Sequence, residues 1–352
     1  MHAAYTSIGG AGNTGVDGDG INFMGDTEID FSPSITLDNG ITFGGLVELE
    51  GQADSGSMID HTFMFIEGDT LGRVVIGNLN GVSYNAGFLT PGVGSIGIND
   101  GTMSMFIPMR DGTQAAHNDM SGDNFKINYT TPSFNGFTLG ASYTPSTQGG
   151  NSRDAGPIDR STGINDIFDV TANYAQSYGT MDIALHAGYQ QADRNAAAAS
   201  ITLSDISDIT VDANGNITGV DVTANDAVTA GDPSIWRVGA SVGSGPFTVG
   251  AVYQEMDNDN ATSAGDKADW TLGATYDIDG AWTVGADYIN TKVENGAGNT
   301  DSEENAYRIG ASRDLGPGVA WDIQYTFYDH EAADPADDQD AGMIATTLTL
   351  NF

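Results

Sequence analysis

Apolar side chains recur at alternate positions along most of this chain. Between Gly342 and Phe352, Ile344, Thr346, Leu348, Leu350 and Phe352 share one face, and Ala345, Thr347, Thr349 and Asn351 share the other. A period of two predicts an extended strand with one apolar face. The same rhythm predicts sixteen strands, near 2–8, 21–36, 41–50, 59–67, 72–78, 124–131, 137–144, 167–176, 181–190, 235–242, 247–256, 268–277, 282–291, 305–313, 319–328 and 342–352. Their connections alternate in length. Seven are tight turns rich in Gly, Asn and Asp, near 38–40, 69–72, 133–136, 177–180, 243–246, 277–280 and 315–318, and eight are longer and polar. Short turns on one rim and long loops on the other predict an all-β fold: a transmembrane antiparallel β-barrel forming one domain over 1–352.

The aromatic positions give that barrel an outside. Phe137 and Tyr143 stand six apart, as do Phe168/Tyr174, Phe247/Tyr253, Trp270/Tyr276, Trp282/Tyr288 and Trp321/Phe327. An even separation puts both rings on one strand face. At about 3.3 Å per residue each pair spans roughly 20 Å of strand. After tilt, the rings mark the edges of a lipid-facing band about 25 Å tall. Trp236 and Trp270 follow long loops, whereas Trp282 and Trp321 follow tight turns, so the four divide between two girdles. Tyr143, Tyr174, Tyr253, Tyr276 and Tyr288 complete the expected set. The competing reading is aromatic cross-strand pairs in a soluble β-protein.

The opposite faces are polar. They carry Asp26, Glu28, Asp30, Glu48, Glu50, Lys126, Asn128, Asp169, His186, Gln190, Arg237, Asp269, Asp287, Arg308, Asp322 and Gln324. A dry core cannot hold so many charges at several kcal/mol each. They are expected to face water, and sixteen strands enclose an aqueous channel.

Composition narrows the partners. The 352 residues include 48 Asp and Glu against 11 Lys and Arg, a formal charge of −37. That balance excludes nucleic acid, whose phosphates need cationic contacts. Cysteine is absent, which excludes disulfides and thiolate metal sites. No apolar run approaches the roughly 18 residues of a membrane helix, which leaves barrels untouched. No signal-peptide pattern opens the chain, and 2–6 already read as strand, so a mature or trimmed form is expected. No Gly-rich phosphate loop, nucleophile elbow or metalloprotease helix is present, and the five histidines show no ligand spacing, so no enzyme is expected.

One connection, 78–122, resists every periodicity. So long a loop is either functional or disordered. Phe88, Leu89, Ile96, Ile98, Met103, Met105, Phe106, Ile107 and Met109 need something to pack on, which argues against disorder. It is expected to fold into the lumen and narrow it.

The run Asp123–Ser146, DNFKINYTTPSFNGFTLGASYTPS, strongly resembles a hairpin of the general diffusion porins of Gram-negative outer membranes, especially their alphaproteobacterial branch. There a similar hairpin directly follows the constriction loop. Gly72–Asn78 resembles the strand leading into that loop, and Gly94–Gly101 part of the loop. Terminal Phe352 resembles the signal read by the outer-membrane assembly machinery. The resemblance implies a homotrimer of sixteen-stranded barrels in the outer membrane, among lipid and lipopolysaccharide. Each would pass small hydrophilic solutes and ions by diffusion, with its third long loop as an eyelet. The chain departs from enteric relatives, which set wall arginines against loop acids. Its early strands offer Asp26, Glu28 and Glu48, with only Arg73 basic.

The constriction candidates are therefore Asp100, Arg110, Asp111 and Asp119 on the loop and Asp26, Glu28 and Glu48 on the wall, with Arg73, Lys126 and Arg308 as local counter-charges. A ring of acids concentrates cations, so a cation preference is expected. Phe88, Leu89, Phe106 and Ile107 are expected to anchor the loop. No cofactor is expected beyond structural Ca2+, for which Asp257, Asp259, Asp337, Asp338 and Asp340 offer hard oxygen ligands without the helix–loop–helix spacing. The stretch 192–234 reads as a long extracellular loop with an extra hairpin. Subunits are expected to meet on the early strands, at Ile29, Phe31, Phe43, Phe63 and Phe65, which lack the paired girdle. Two alternatives stand: a substrate-selective channel of the same fold, and a secreted acidic calcium-binding β-protein.

Overall fold

The computed structural model describes residues 1–10, 18–51, 58–87, 90–98, 102–107, 119–148, 157–195, 206–211, 217–222, 231–259, 265–278, 280–296 and 299–351. One 18-stranded antiparallel sheet closes on itself. Three of its strands, Gly20–Met24, Glu28–Phe31 and Ser34–Thr36, are successive pieces of one interrupted stave. Counted as staves, the barrel has the sixteen of the alternation pattern. They are β1 (His2–Gly10), β2 (the three pieces), β3 (Thr42–Glu50), β4 (Ile59–Gly68), β5 (Gly72–Asn78), β6 (Phe125–Thr130), β7 (Phe137–Ser146), β8 (Gly163–Tyr178) and β9 (Met181–Asn195), then β10 (Ser234–Ser244), β11 (Phe247–Asp257), β12 (Lys267–Ile278), β13 (Trp282–Val293), β14 (Ser302–Gly316), β15 (Val319–Glu331) and β16 (Gln339–Leu350).

Closure is made by the chain ends. β1 pairs with β16 from His2↔Thr347 to Gly10↔Gln339, and with the first piece of β2. No edge is left for another strand to extend. Each of the seven tight turns holds a glycine at positive φ, between 57° and 85°, which an L side chain rarely adopts. A separate hairpin, Ile206–Val211 with Ile217–Val222, lies within the 192–234 loop and outside the barrel sheet.

The outer surface is apolar and the girdles run across strands. At the long-loop end, ring contacts join Tyr143 to Phe168, Trp236 to Tyr253, and Trp270 to Tyr288, Tyr307 and Phe327 in series. At the turn end, Phe137 meets Tyr174, Phe247 meets Tyr276, and Trp282 meets Trp321 edge-on at 5.9 Å. The Trp270 and Trp321 indole N–H groups donate to Asn290 and Thr346. An aromatic with one wet end suits the membrane interface. From β1 to β5 the outer face is different. Ile21, Phe23, Ile29, Phe31, Ile35 and Met64 are exposed there. Phe63 and Phe65, expected on this face, point the other way. They pair with Gly77 and Val75, and Phe65 stacks on Arg73 in the lumen. The register puts Met64 and Ile66 outside instead, because one residue of shift exchanges the faces.

Candidate functional site

The lumen holds the long connection between β5 and β6. It enters as a short helix, α1 (Val82–Ala86), and its described parts are 79–87, 90–98, 102–107 and 119–124. It does not stand free in the channel. Ile96, Ile98, Met103, Phe106 and Ile107 are buried in one cluster with Ala4, Ile289, Ala306, Tyr328, Ala341, Met343 and Ala345 of β1, β13, β14, β15 and β16. The wall side of that cluster is mostly alanine, which lets the loop come close. Glycines take the contact further. A Cβ on Gly273 would stand 1.9 Å from the Pro91 carbonyl oxygen, and one on Gly310 2.5 Å from that of Val93. Under α1, Gly140 and Gly188 leave the same kind of room for Val82 and Ser83.

A loop without strand or long helix leaves many backbone groups to satisfy. The wall supplies the partners. Asp169 accepts from the Ser83 N–H (2.9 Å), Gln190 from Met120 N–H (3.0 Å), and Asp322 from Ser95 N–H and hydroxyl. Gln324 accepts from Ile96 N–H (3.1 Å) and donates to its carbonyl (2.8 Å). Arg308, ion-paired to Asp287 at 2.7 Å, donates to the carbonyls of Gly94 (2.8 Å) and Ile96 (2.9 Å). Lys126 donates to the carbonyls of Leu79 and Gly122, so one ammonium gathers both ends of the loop. These inward polar residues were expected to face water. They face the right way, but the loop covers them, and they are buried against its backbone.

On the wall from β2 to β4, Asp26, Glu28 and Asp30 are exposed among the described residues. Glu28 lies directly opposite Glu50, and Asp30 opposite Glu48. Oxygens of Asp26, Glu28 and Glu50 gather within 4.8 Å of one another. Among the described residues, the Lys and Arg ion pairs are with Glu67, Asp166, Asp301 and Asp287, and none involves Asp26, Glu28, Asp30, Glu48 or Glu50. Among the described residues, the basic side chain beside these carboxylates is His61. Its Nδ1 lies 2.6 Å from Glu48 and its Nε2 2.9 Å from Asp123 at the loop base. The described lumen is thus a gap between a loop fixed to the late strands and an acidic wall on the early ones.

The sequence model of the Gram-negative porins matches residues 1–333. The chain belongs to the Gram-negative porin family. Like its relatives, this porin is an outer-membrane channel protein. No curated protein matches it in sequence. Solved structures of similar fold include the trimer form of in-vitro folded OmpT of Vibrio cholerae (TM-score 0.59, 14% identity, covering 99% of this chain and 96% of that one). A Salmonella typhi OmpF complex with daunomycin matches with TM-score 0.56 and 15% identity over 98% and 96% of the two chains. A multiple mutant of Rh. blastica porin gives 0.54 and 18% over 100% and 98%.

The porin distributes the expected constriction residues unevenly. Asp26, Glu28 and Glu48 are together on the open wall. Asp119 is on the loop but turned to its own backbone. It accepts from Gly81 N–H at 2.7 Å, Ser121 N–H at 2.8 Å and Gln190 Nε2 at 2.9 Å. Lys126 and Arg308 are corrected from counter-charges of the pore to buried clamps of the loop, because unpaired loop carbonyls need donors. Arg73 is corrected from the constriction to the turn-side mouth. It stands next to the Gly72 turn, ion-paired to Glu67 at 2.5 Å and stacked on Phe65. Asp100, Arg110, Asp111, Phe88, Leu89 and terminal Phe352 lie outside the described residues. Phe106 and Ile107 are in the buried cluster. The carboxylates considered for calcium fall in two separate places, and two of them cap backbone: Asp257 accepts from Asp259 N–H (2.6 Å), and Asp338 from Ala332 N–H (2.9 Å). Missed by sequence reasoning were His61, whose isolated position gave no spacing signal, and the glycine floor of β11 to β14. The floor left a trace: Gly250, Gly273, Gly285 and Gly310 all fall mid-strand, where a missing side chain marks close approach.

Proposed function

We propose that this porin is a passive, cation-preferring diffusion channel for small hydrophilic solutes and ions, working as a homotrimer and without a catalytic step. The observation that carries the preference is the pairing of Glu28 with Glu50 and Asp30 with Glu48. Like charges directly opposite on neighbouring strands are destabilising. A sequence selected for stability alone would separate or neutralise them. On a water-filled wall they raise the local concentration of cations. The trimer reading is supported by the outer face of β2 to β5, where exposed Phe and Ile replace the Trp and Tyr girdle of the lipid-facing strands.

The test is the reversal potential of reconstituted channels across a potassium chloride gradient. Potassium is expected to cross more readily than chloride, in three equal conductance steps per insertion. An anion-selective reversal potential sinks the acidic-wall argument and leaves the barrel standing. A single step per insertion sinks the trimer.

A further inference from the structure

We propose that His61 Nδ1, Glu48 and Asp60 form a lumenal binding site for a borderline divalent cation of the zinc class, with Asp123 orienting the imidazole. The ligand atoms of the three residues all lie within 4.8 Å of one another. Nδ1 is 2.6 Å from Glu48 Oε2 and 4.0 Å from Asp60 Oδ2. In a tetrahedral site with metal–ligand distances of about 2.0–2.2 Å, neighbouring ligand atoms stand about 3.3–3.6 Å apart. The two measured separations bracket that value, so side-chain rotation alone closes the set.

A second feature points the same way. Asp123 Oδ1 is 2.9 Å from Nε2, in hydrogen-bonding geometry. A carboxylate only accepts, so Nε2 carries the proton there. Metal-bound histidines characteristically donate their other ring N–H to a carboxylate in this manner. On the Nδ1 side Glu48 Oε2 stands 2.6 Å away as an ion pair and has no other hydrogen-bond partner among the described residues. A divalent cation entering there would displace the proton between the two atoms and take its place.

The donor set selects the metal. Imidazole with carboxylate suits zinc, nickel and copper, whereas calcium takes oxygen alone and more of it. Asp60 is 41% exposed, which leaves a solvent route and an open position for water. The site joins β3 and β4 to the residue that ends the inward loop, so an ion there would draw loop and open wall together.

The experiment is a zinc titration of detergent-purified protein, with equilibrium binding and single-channel conductance as readouts. One zinc per chain is expected, resistant to a hundredfold excess of calcium, with a lowered conductance when loaded. His61→Gln should weaken binding at least tenfold. Asp60→Asn should do the same while keeping the His61–Asp123 bond, which guards against a folding artefact. Zinc uptake that ignores both substitutions, or that calcium displaces equally, means adventitious carboxylate binding and overturns the site. The cation preference proposed above is read separately, in chelator-treated protein.

Discussion

The two halves of the lumen wall are built from the same alternation and do opposite things with it. From β7 to β16 the inward side chains that meet the loop are buried. Their charges pair with loop backbone, as at Asp169, Asp322 and Arg308, and their gaps are glycine and alanine. From β2 to β4 the inward side chains meet solvent, and carboxylates stand opposite carboxylates. The first half spends polar groups on holding a loop, and the second leaves them for ions. An inward polar position therefore has no single meaning in this barrel. What decides is whether the loop lies over it.

The largest effect should come from cutting the loop off the packed half. Arg308→Met strands the buried carboxylate of Asp287 and removes the donor from the Gly94 and Ile96 carbonyls. Removing one partner of a buried pair costs about 3–5 kcal/mol. Part of that should appear as loop release rather than barrel unfolding, because the strand register does not involve the side chain. Single-channel conductance should rise and protease should cut within 90–107. A variant with wild-type conductance and protection would show that the alanine and glycine contacts hold the loop unaided.

A smaller effect tests the floor. Gly273→Ala puts a Cβ 1.9 Å from a backbone oxygen of Pro91, so the loop must lift. Overpacking of this kind costs about 1–3 kcal/mol. Gly68→Ala, on β4 in the other half, meets nothing nearer than 3.7 Å and should be silent. Urea midpoints of the folded barrels, read side by side, check both. Equal midpoints would remove the distinction between the halves at the level of packing.

Strand-level structure was legible in the chain because it is local. Alternation over a few residues decides which face Ile344 or Asp322 takes, and turn glycines such as Gly136 announce the hairpins. The loop could be recognised as inward from its apolar content, but its seat could not. The Gln324–Ile96 and Arg308–Gly94 contacts join residues more than two hundred positions apart. Nothing in the spacing of either partner encodes them. For the same reason Lys126 and Arg308 read as pore charges: a sequence shows that a side chain points inward, not what lies on top of it. Phe63 and Phe65 were misplaced for a local reason. Phe–Met–Phe–Ile is apolar on both faces, so alternation there carries no sign.

The finest distinction lies between acids that line and acids that hold. Glu28→Gln with Asp30→Asn removes two charges from the open wall and relieves their cross-strand repulsion, so stability should move by no more than about 0.5 kcal/mol. The potassium-to-chloride permeability ratio should nevertheless fall. Asp269→Asn is the matched control on the packed half. Asp269 is buried on β12 among wall residues and accepts from Thr291 Oγ1 at 2.6 Å. At 0.1 M salt the Debye length is about 10 Å, so a carboxylate walled off from the water path contributes little to the potential an ion feels there. Its loss should leave the ratio unchanged while lowering stability, the reverse of the open-wall pair. Raising the salt to 1 M shortens the Debye length to about 3 Å and should shrink the open-wall effect while leaving the Asp269 result as it was. If both substitutions shift selectivity equally at low salt, net charge alone sets the preference and the opposed carboxylates of β2 and β3 lose their special role.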